Sequence, residues 1–140
     1  MKTIFIFFLS GLILISCESE PDRDPILDKV ANLPHFNAES IPQQILDDPL
    51  FEKKYQNQLV VVKGKIHRID YKKDGTLAVQ FYPMATPIHC DMKNEQKYYR
   101  KDYNGEMTAT VVGKAEVFRY TTERGEKLAF LTLRQGVFVR

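Results

Sequence analysis

Cysteine is scarce in this sequence, two among 140 residues, and charge of neither sign dominates, the net charge being +2. Two cysteines exclude a disulfide-dense scaffold. Seven glycines and seven prolines exclude a collagen-like chain, and 44% hydrophobic residues exclude a wholly disordered one. So small a net charge does not by itself point to nucleic acid. Chelating spacings such as CxxC and HxxxH are absent, as are a Gly-rich phosphate loop, a nucleophile elbow and a paired-carboxylate motif. The expectation is a non-enzyme with no cofactor and no metal. A chain of 140 residues allows one ordinary domain.

Long hydrophobic runs are also missing, save one. After Lys2 the chain is apolar from Ile4 to Ile15. As a helix that run covers about 18 Å, short of a hydrocarbon core of roughly 30 Å. A charged start, a short apolar middle and a small residue before the cut describe an export signal over residues 1–16. Its end, Leu14-Ile15-Ser16-Cys17, resembles a bacterial lipobox. That resemblance implies a mature chain beginning at Cys17, whose sulfur carries a diacylglyceryl group. The competing readings are an ordinary signal peptide with an incidental cysteine, or an uncleaved anchor. Each buried methylene contributes about 0.8 kcal/mol, so two or three acyl chains anchor a protein to a membrane essentially permanently. With Cys17 lipidated, Cys90 has no partner within the chain. It reads as a small buried apolar residue on a strand.

Charge divides the remainder. Residues 17–56 carry a net −5 and residues 57–140 a net +6. The first part, rich in acids and prolines through Glu39, reads as a flexible tether over 17–39. Such a tether spans about 25–30 Å root-mean-square. Its acidic start also resembles the export signal of surface-displayed lipoproteins of Bacteroidetes, the alternative being a plain solvated spacer. Ordered structure is expected from Ser40, which can cap a helix with Pro42 in its first turn and Ile41, Ile45 and Leu46 on one side. Pro49 breaks that helix before a second short turn through Phe51 and Tyr55.

Residues 40–140 then read as five strands and one helix. Leu59–Ile66 is β-branched, with Val60, Val62, Gly64 and Ile66 on one face and a bend at the glycine. A turn at Lys73-Asp74-Gly75 leads to Leu77, Val79 and Phe81 alternating with Ala78, Gln80 and Tyr82. A third strand, Ile88–Met92, places Ile88, Cys90 and Met92 on one side. Asn94–Tyr103 is helix-compatible and stops at Gly105. Met107–Phe118 and Lys127–Leu133 complete the set. Val62-Lys63-Gly64-Lys65 is echoed by Val111-Val112-Gly113-Lys114, a second long strand bent at a glycine. Two bent strands, with a helix between the third and fourth, describe a five-stranded OB-fold barrel, mainly β.

From about Ile41 to Val139 the chain is similar to the tRNA-anticodon-like OB-fold family, common as short exported proteins of Bacteroidetes. The likeness rests on Lys53-Lys54-Tyr55-Gln56-Asn57-Gln58 leading into Val60–Ile66, on Ile88-His89-Cys90-Asp91, and on Gly105-Glu106 entering Thr110–Lys114. The family's name reflects fold likeness and implies no tRNA binding. Glu116–Lys127 departs from it, reading as a longer connection between the fourth and fifth strands.

Few residues offer chemistry. A metal site would have to use His35, His67, His89, Cys90 and nearby carboxylates, and neighbours His89 and Cys90 on a strand point to opposite faces. OB-folds bind single strands across the second and third strands, where the outward set here is Ala78, Gln80, Tyr82, His89 and Asp91. Lys63 and Lys65, with Arg68, Lys72 and Lys73, form one basic group; Lys93, Lys97, Arg100 and Lys101 form another. Tyr98, Tyr99 and Tyr103 cluster on the helix, either plugging the barrel end or standing exposed as an interface. The candidate binding surface is therefore Tyr82, His89, Tyr98, Tyr99, Tyr103, Lys63 and Lys65, with the Phe118–Lys127 connection as a second surface. The expected function is a membrane-anchored binding module in the cell envelope for a protein, peptide or glycan. The alternative is an OB-fold for single-stranded nucleic acid, against which stands export, which removes the protein from tRNA and chromosomal DNA.

Overall fold

The computed structural model describes residues 19–140. The export signal expected over 1–16 and the lipidation expected at Cys17 lie outside them. A 3-10 helix, Pro25–Asn32, is followed by a short strand β1 (His35–Asn37) and two short helices, α1 (Ile41–Asp47) and α2 (Phe51–Tyr55). Then come β2 (Leu59–Tyr71), β3 (Leu77–Phe81), β4 (Ile88–Met92), a second 3-10 helix (Asn94–Asp102), β5 (Thr108–Thr121) and β6 (Lys127–Phe138). The sheet order is β1-β2-β3-β4-β6-β5, and β2 also pairs with β5, which closes strands β2 to β6 into a barrel. Only β4 and β6 run parallel within that ring. The connection between them carries the second 3-10 helix and β5. This is the five-stranded OB topology expected from the sequence.

The alternating strands dictate the interior. Val60, Val62, Ile66, Leu77, Val79, Phe81, Ile88, Cys90, Leu131 and Leu133 are fully or almost fully buried inside. Ile41 and Ile45 of α1 join the same core. Full burial of such a side chain contributes about 1.5–3 kcal/mol, which is why a seven-residue helix with little stability of its own holds its place. Ser40 stands at the N-cap but makes no side-chain cap; its hydroxyl donates instead to the Asn37 carbonyl at 3.3 Å.

Two expectations need correction. The tether expected over 17–39 is not free along its length. Ile26, Leu27, Val30 and Leu33 pack on a second apolar layer of Val61, Val112 and Val137, on the outer side of β2, β5 and β6. β1 extends this by pairing parallel to β2, His35 opposite Val61. The signal was present in unbroken runs such as Val60-Val61-Val62 and Val111-Val112, which leave apolar side chains on both faces of a strand. The helix expected between the third and fourth barrel strands is present, as the 3-10 helix Asn94–Asp102. The other correction is that the long connection Glu116–Lys127 is an extension of both strands. β5 runs to Thr121 and pairs with β6 from its first residue, Thr121 opposite Lys127 and Phe118 opposite Phe130. Phe, Tyr and Thr favour the extended backbone there. The turn is short, with Gly125 at φ +81° and the Thr122 N–H donating to the Glu126 carbonyl at 2.8 Å. The turn at Lys72–Thr76 repeats the design, with Gly75 at φ +85°.

Two glutamines finish the barrel. Where β5 runs beyond the start of β2, the Val117 N–H donates to Gln56 Oε1 at 2.8 Å. At the end of β6 the Phe138 N–H donates to Oε1 of the buried Gln96 at 2.9 Å. The hairpin is also tied to the helices: the Arg119 guanidinium donates to the Ile45 and Asp48 carbonyls, each at 2.9 Å, satisfying the C-terminal end of α1.

Candidate binding surface

Strand register places one outward row across the sheet: Arg68, Gln80, His89, Thr132 and Glu116 are successive neighbours. His89 is held in place, Nδ1 3.5 Å from Gln80 Nε2 and Nε2 3.2 Å from Asp91 Oδ1. Asp91 also pairs with Lys72. Burial pushes the Asp91 carboxyl up, but the Lys72 and His89 contacts together hold it below the usual carboxylate range. Arg134 pairs with Glu116 at 2.8 Å and Arg68 with Asp70 at 2.8 Å. The cations on this face are largely matched by carboxylates.

Tyr82 and Lys65 meet through Glu106. The Tyr82 hydroxyl donates to Glu106 Oε1 at 2.6 Å, and Lys65 Nζ lies 2.6 Å from Glu106 Oε2 and 5.5 Å from the Tyr82 ring centroid. Those hydrogen bonds, from Lys65 first, lower the Glu106 carboxyl; the same contacts raise Lys65 and Tyr82. Lys63 is exposed nearby on β2.

The helix tyrosines serve mainly as packing. Tyr103 stacks on Phe138 with centroids 4.1 Å apart. Tyr99 is buried, with the Arg140 guanidinium 4.2 Å above its ring. Tyr98 is half-buried, edge-on to Tyr99, with Lys101 Nζ 5.3 Å from its centroid. Of the two readings left open for this cluster, Tyr99 and Tyr103 follow the barrel plug. Cys90 is fully enclosed, and burial pushes its thiol far up, away from the thiolate a nucleophile needs. Among the described residues, no three His, Cys, Asp or Glu side chains gather as a metal site.

The second candidate surface, Phe118–Lys127, is the start of an aromatic face whose strand pairing the sequence reading missed. On the β5–β6 hairpin Phe118 faces Phe130 and Tyr120 faces Leu128, and directly paired residues share a face of the sheet. Phe118 is 50% exposed and Tyr120 58%. With Phe130 and Leu128 half-buried beside them, they make an apolar ladder that continues the outward row at Thr132 and Glu116. The alternation Phe118-Arg119-Tyr120-Thr121 was the signal for it. Reading those residues as a connection hid the shared face.

Strand order, closure and the intervening helix define the class: an OB-fold barrel with added N-terminal helices. No protein-family model matches the chain, and no curated protein matches it in sequence. Solved structures do. A lipoprotein of Klebsiella pneumoniae, provisionally described as nucleic acid-binding, is 16% identical with a TM-score of 0.58, over 81% of this chain and 97% of that one. The mitochondrial single-stranded DNA binding protein of S. cerevisiae is 16% identical over 59% of this chain and 92% of that one, with a TM-score of 0.39. The aspartyl-tRNA synthetase of Entamoeba histolytica is 8% identical over 61% of this chain but 19% of its own, with a TM-score of 0.41. The first likeness bears on fold alone, and the other two are too distant to add to it.

Proposed function

We propose that this chain is a lipid-anchored, non-catalytic envelope protein whose OB barrel binds a protein or peptide partner on the hairpin face. This reading keeps the likeness to the tRNA-anticodon-like family, with Cys17 as the anchor. The observation that carries it is the exposed Phe118/Phe130 and Tyr120/Leu128 ladder, an aromatic surface of the kind that anchors protein interfaces. Its charged neighbours support a neutral partner: Glu116 and Asp91 lie on the same outer face, and Arg134 and Lys72 are matched to them.

A photo-crosslinking side chain in place of Tyr120, in intact cells, is expected to give one dominant protein adduct. Phe118→Ser should abolish that adduct while leaving the fold intact. Absence of any adduct would sink the reading.

The second reading is single-stranded nucleic acid. It is favoured by the same aromatics, since bases stack on such platforms, and by the description of the Klebsiella lipoprotein. It predicts that residues 19–140 bind a fluorescent oligonucleotide, with affinity falling steeply between low and moderate salt. No binding at low salt removes it.

A further inference from the structure

We propose that the end of the barrel capped by the second 3-10 helix faces the anchoring membrane, so that the apolar hairpin points away from it. The inference rests on the lipid-anchor reading of Cys17 and deepens it from an address to an orientation.

The chain between anchor and barrel is short where it counts. Asp24 caps the first 3-10 helix by accepting from the Ile26 N–H at 3.0 Å, and its other oxygen accepts from Lys93 Nζ at 2.7 Å. Lys93 immediately precedes the second 3-10 helix. Further upstream, the Tyr99 hydroxyl lies 3.5 Å from Glu20 Oε1. Between the segment and the barrel end is a cleft of about 380 Å³ whose walls include Glu20, Asp24, Gln96, Tyr99, Phe138 and Arg140. The leader therefore reaches the barrel at this one end and continues along its side, where Ile26, Leu27, Val30 and Leu33 are packed. Three residues of extended chain separate Cys17 from Glu20, at most about 11 Å, and seven separate it from Asp24, at most about 25 Å.

The hairpin lies at the opposite end of β6. That strand runs from Lys127, at the hairpin turn, to Phe138, which contacts Gln96 and Tyr103 at the capped end. Eleven steps at about 3.3 Å make a separation of at most roughly 36 Å. An anchor within a few residues of one end and a ligand face at Phe130 and Leu128, eight and ten steps or at most about 26–33 Å from Phe138 along the strand, give the barrel a near and a far side. Charge alone does not impose this: Lys97, Lys101 and Arg140 at the near end are accompanied by Glu95 and Asp102, the latter paired with Arg140 at 2.7 Å. The covalent path does.

The test uses the full acylated chain in vesicles of phosphatidylethanolamine and phosphatidylglycerol containing a headgroup-nitroxide lipid. A fluorophore is placed by Lys97→Cys in one sample and Arg124→Cys, at the hairpin turn, in another; enclosed Cys90 stays unlabelled. Quenching several-fold stronger at 97 than at 124 is expected. Inserting a flexible Gly/Ser linker of about 20 residues after Ser19 lengthens the span and should equalise the two labels. Equal quenching without the linker, stronger quenching at 124, or an asymmetry that survives the linker would each overturn the orientation while leaving the anchor standing. Failure of the protein to float with the vesicles would remove the anchor, and the orientation with it.

Discussion

A Cβ on Gly64 would stand 2.5 Å from the Cβ of Ala38 and 3.1 Å from Cγ of Phe81. The sequence marks this glycine as a bend in a curved strand. The structure adds a second reason, the close approach of the chain between β1 and α1, which no local pattern around residue 64 records. Gly64→Ala is expected to destabilise the protein by about 1–3 kcal/mol, the range for overpacking a filled core. Ala38→Gly in the same molecule should return part of that loss, because the two methyl groups compete for one space. Urea denaturation of the two single variants and the double variant measures it, and strict additivity would contradict the shared-site explanation. Cys90 was fully legible by contrast: alternation with Ile88 and Met92 was enough to turn it inward.

At the scale of elements, the first 3-10 helix shows how a segment of mixed polarity is captured. Its acidic flanks look like a solvated spacer, yet Ile26, Leu27, Val30 and Leu33 meet an outer apolar layer, and Asp24 ties its start to Lys93. Burial raises the Asp24 carboxyl, but hydrogen bonds from Lys93 and the Ile26 N–H outweigh it and leave the group below its ordinary value of 3.8. The detached segment therefore takes up a proton first as pH falls. The Asp24 contribution is present above 3.8 and is lost as pH drops through the lower value of the docked state. The amide shifts of Ile26 and Leu27 should thus hold steady down to that pH and move below it. In Asp24→Asn they should already be displaced at neutral pH; unchanged shifts would mean that apolar packing alone holds the segment. Legibility follows the range of the contacts. Alternation within β2, β3 and β4 is local and was readable. The docking of residues 25–37 and the pairing of Phe118 with Phe130 join stretches whose partners are visible only once the barrel has closed.

At the scale of the whole molecule, the strands close into a ring. β2 pairs with both β3 and β5, so five strands need no sixth to complete them. The strand order was accessible because glycine-marked bends and one intervening helix leave few alternatives. The exposed aromatic face was not, because it arises from register across a hairpin. If Cys17 is the anchor, Cys17→Ala should move the protein from the membrane fraction to the soluble fraction after cell breakage, with the barrel's thermal transition unchanged. Retention on the membrane would refute lipidation at that residue.

Gln56 and Gln96 carry a further consequence. In each, a side-chain carbonyl occupies the place of a neighbouring strand, receiving the Val117 N–H in one case and the Phe138 N–H in the other. Such an end opens by the rotation of one side chain rather than the unzipping of a ladder. Deuterium uptake at these two amides consequently serves as a pair of local clocks, one for the seating of the α2 end and one for the seating of the second 3-10 helix, both running while the ring between them stays shut.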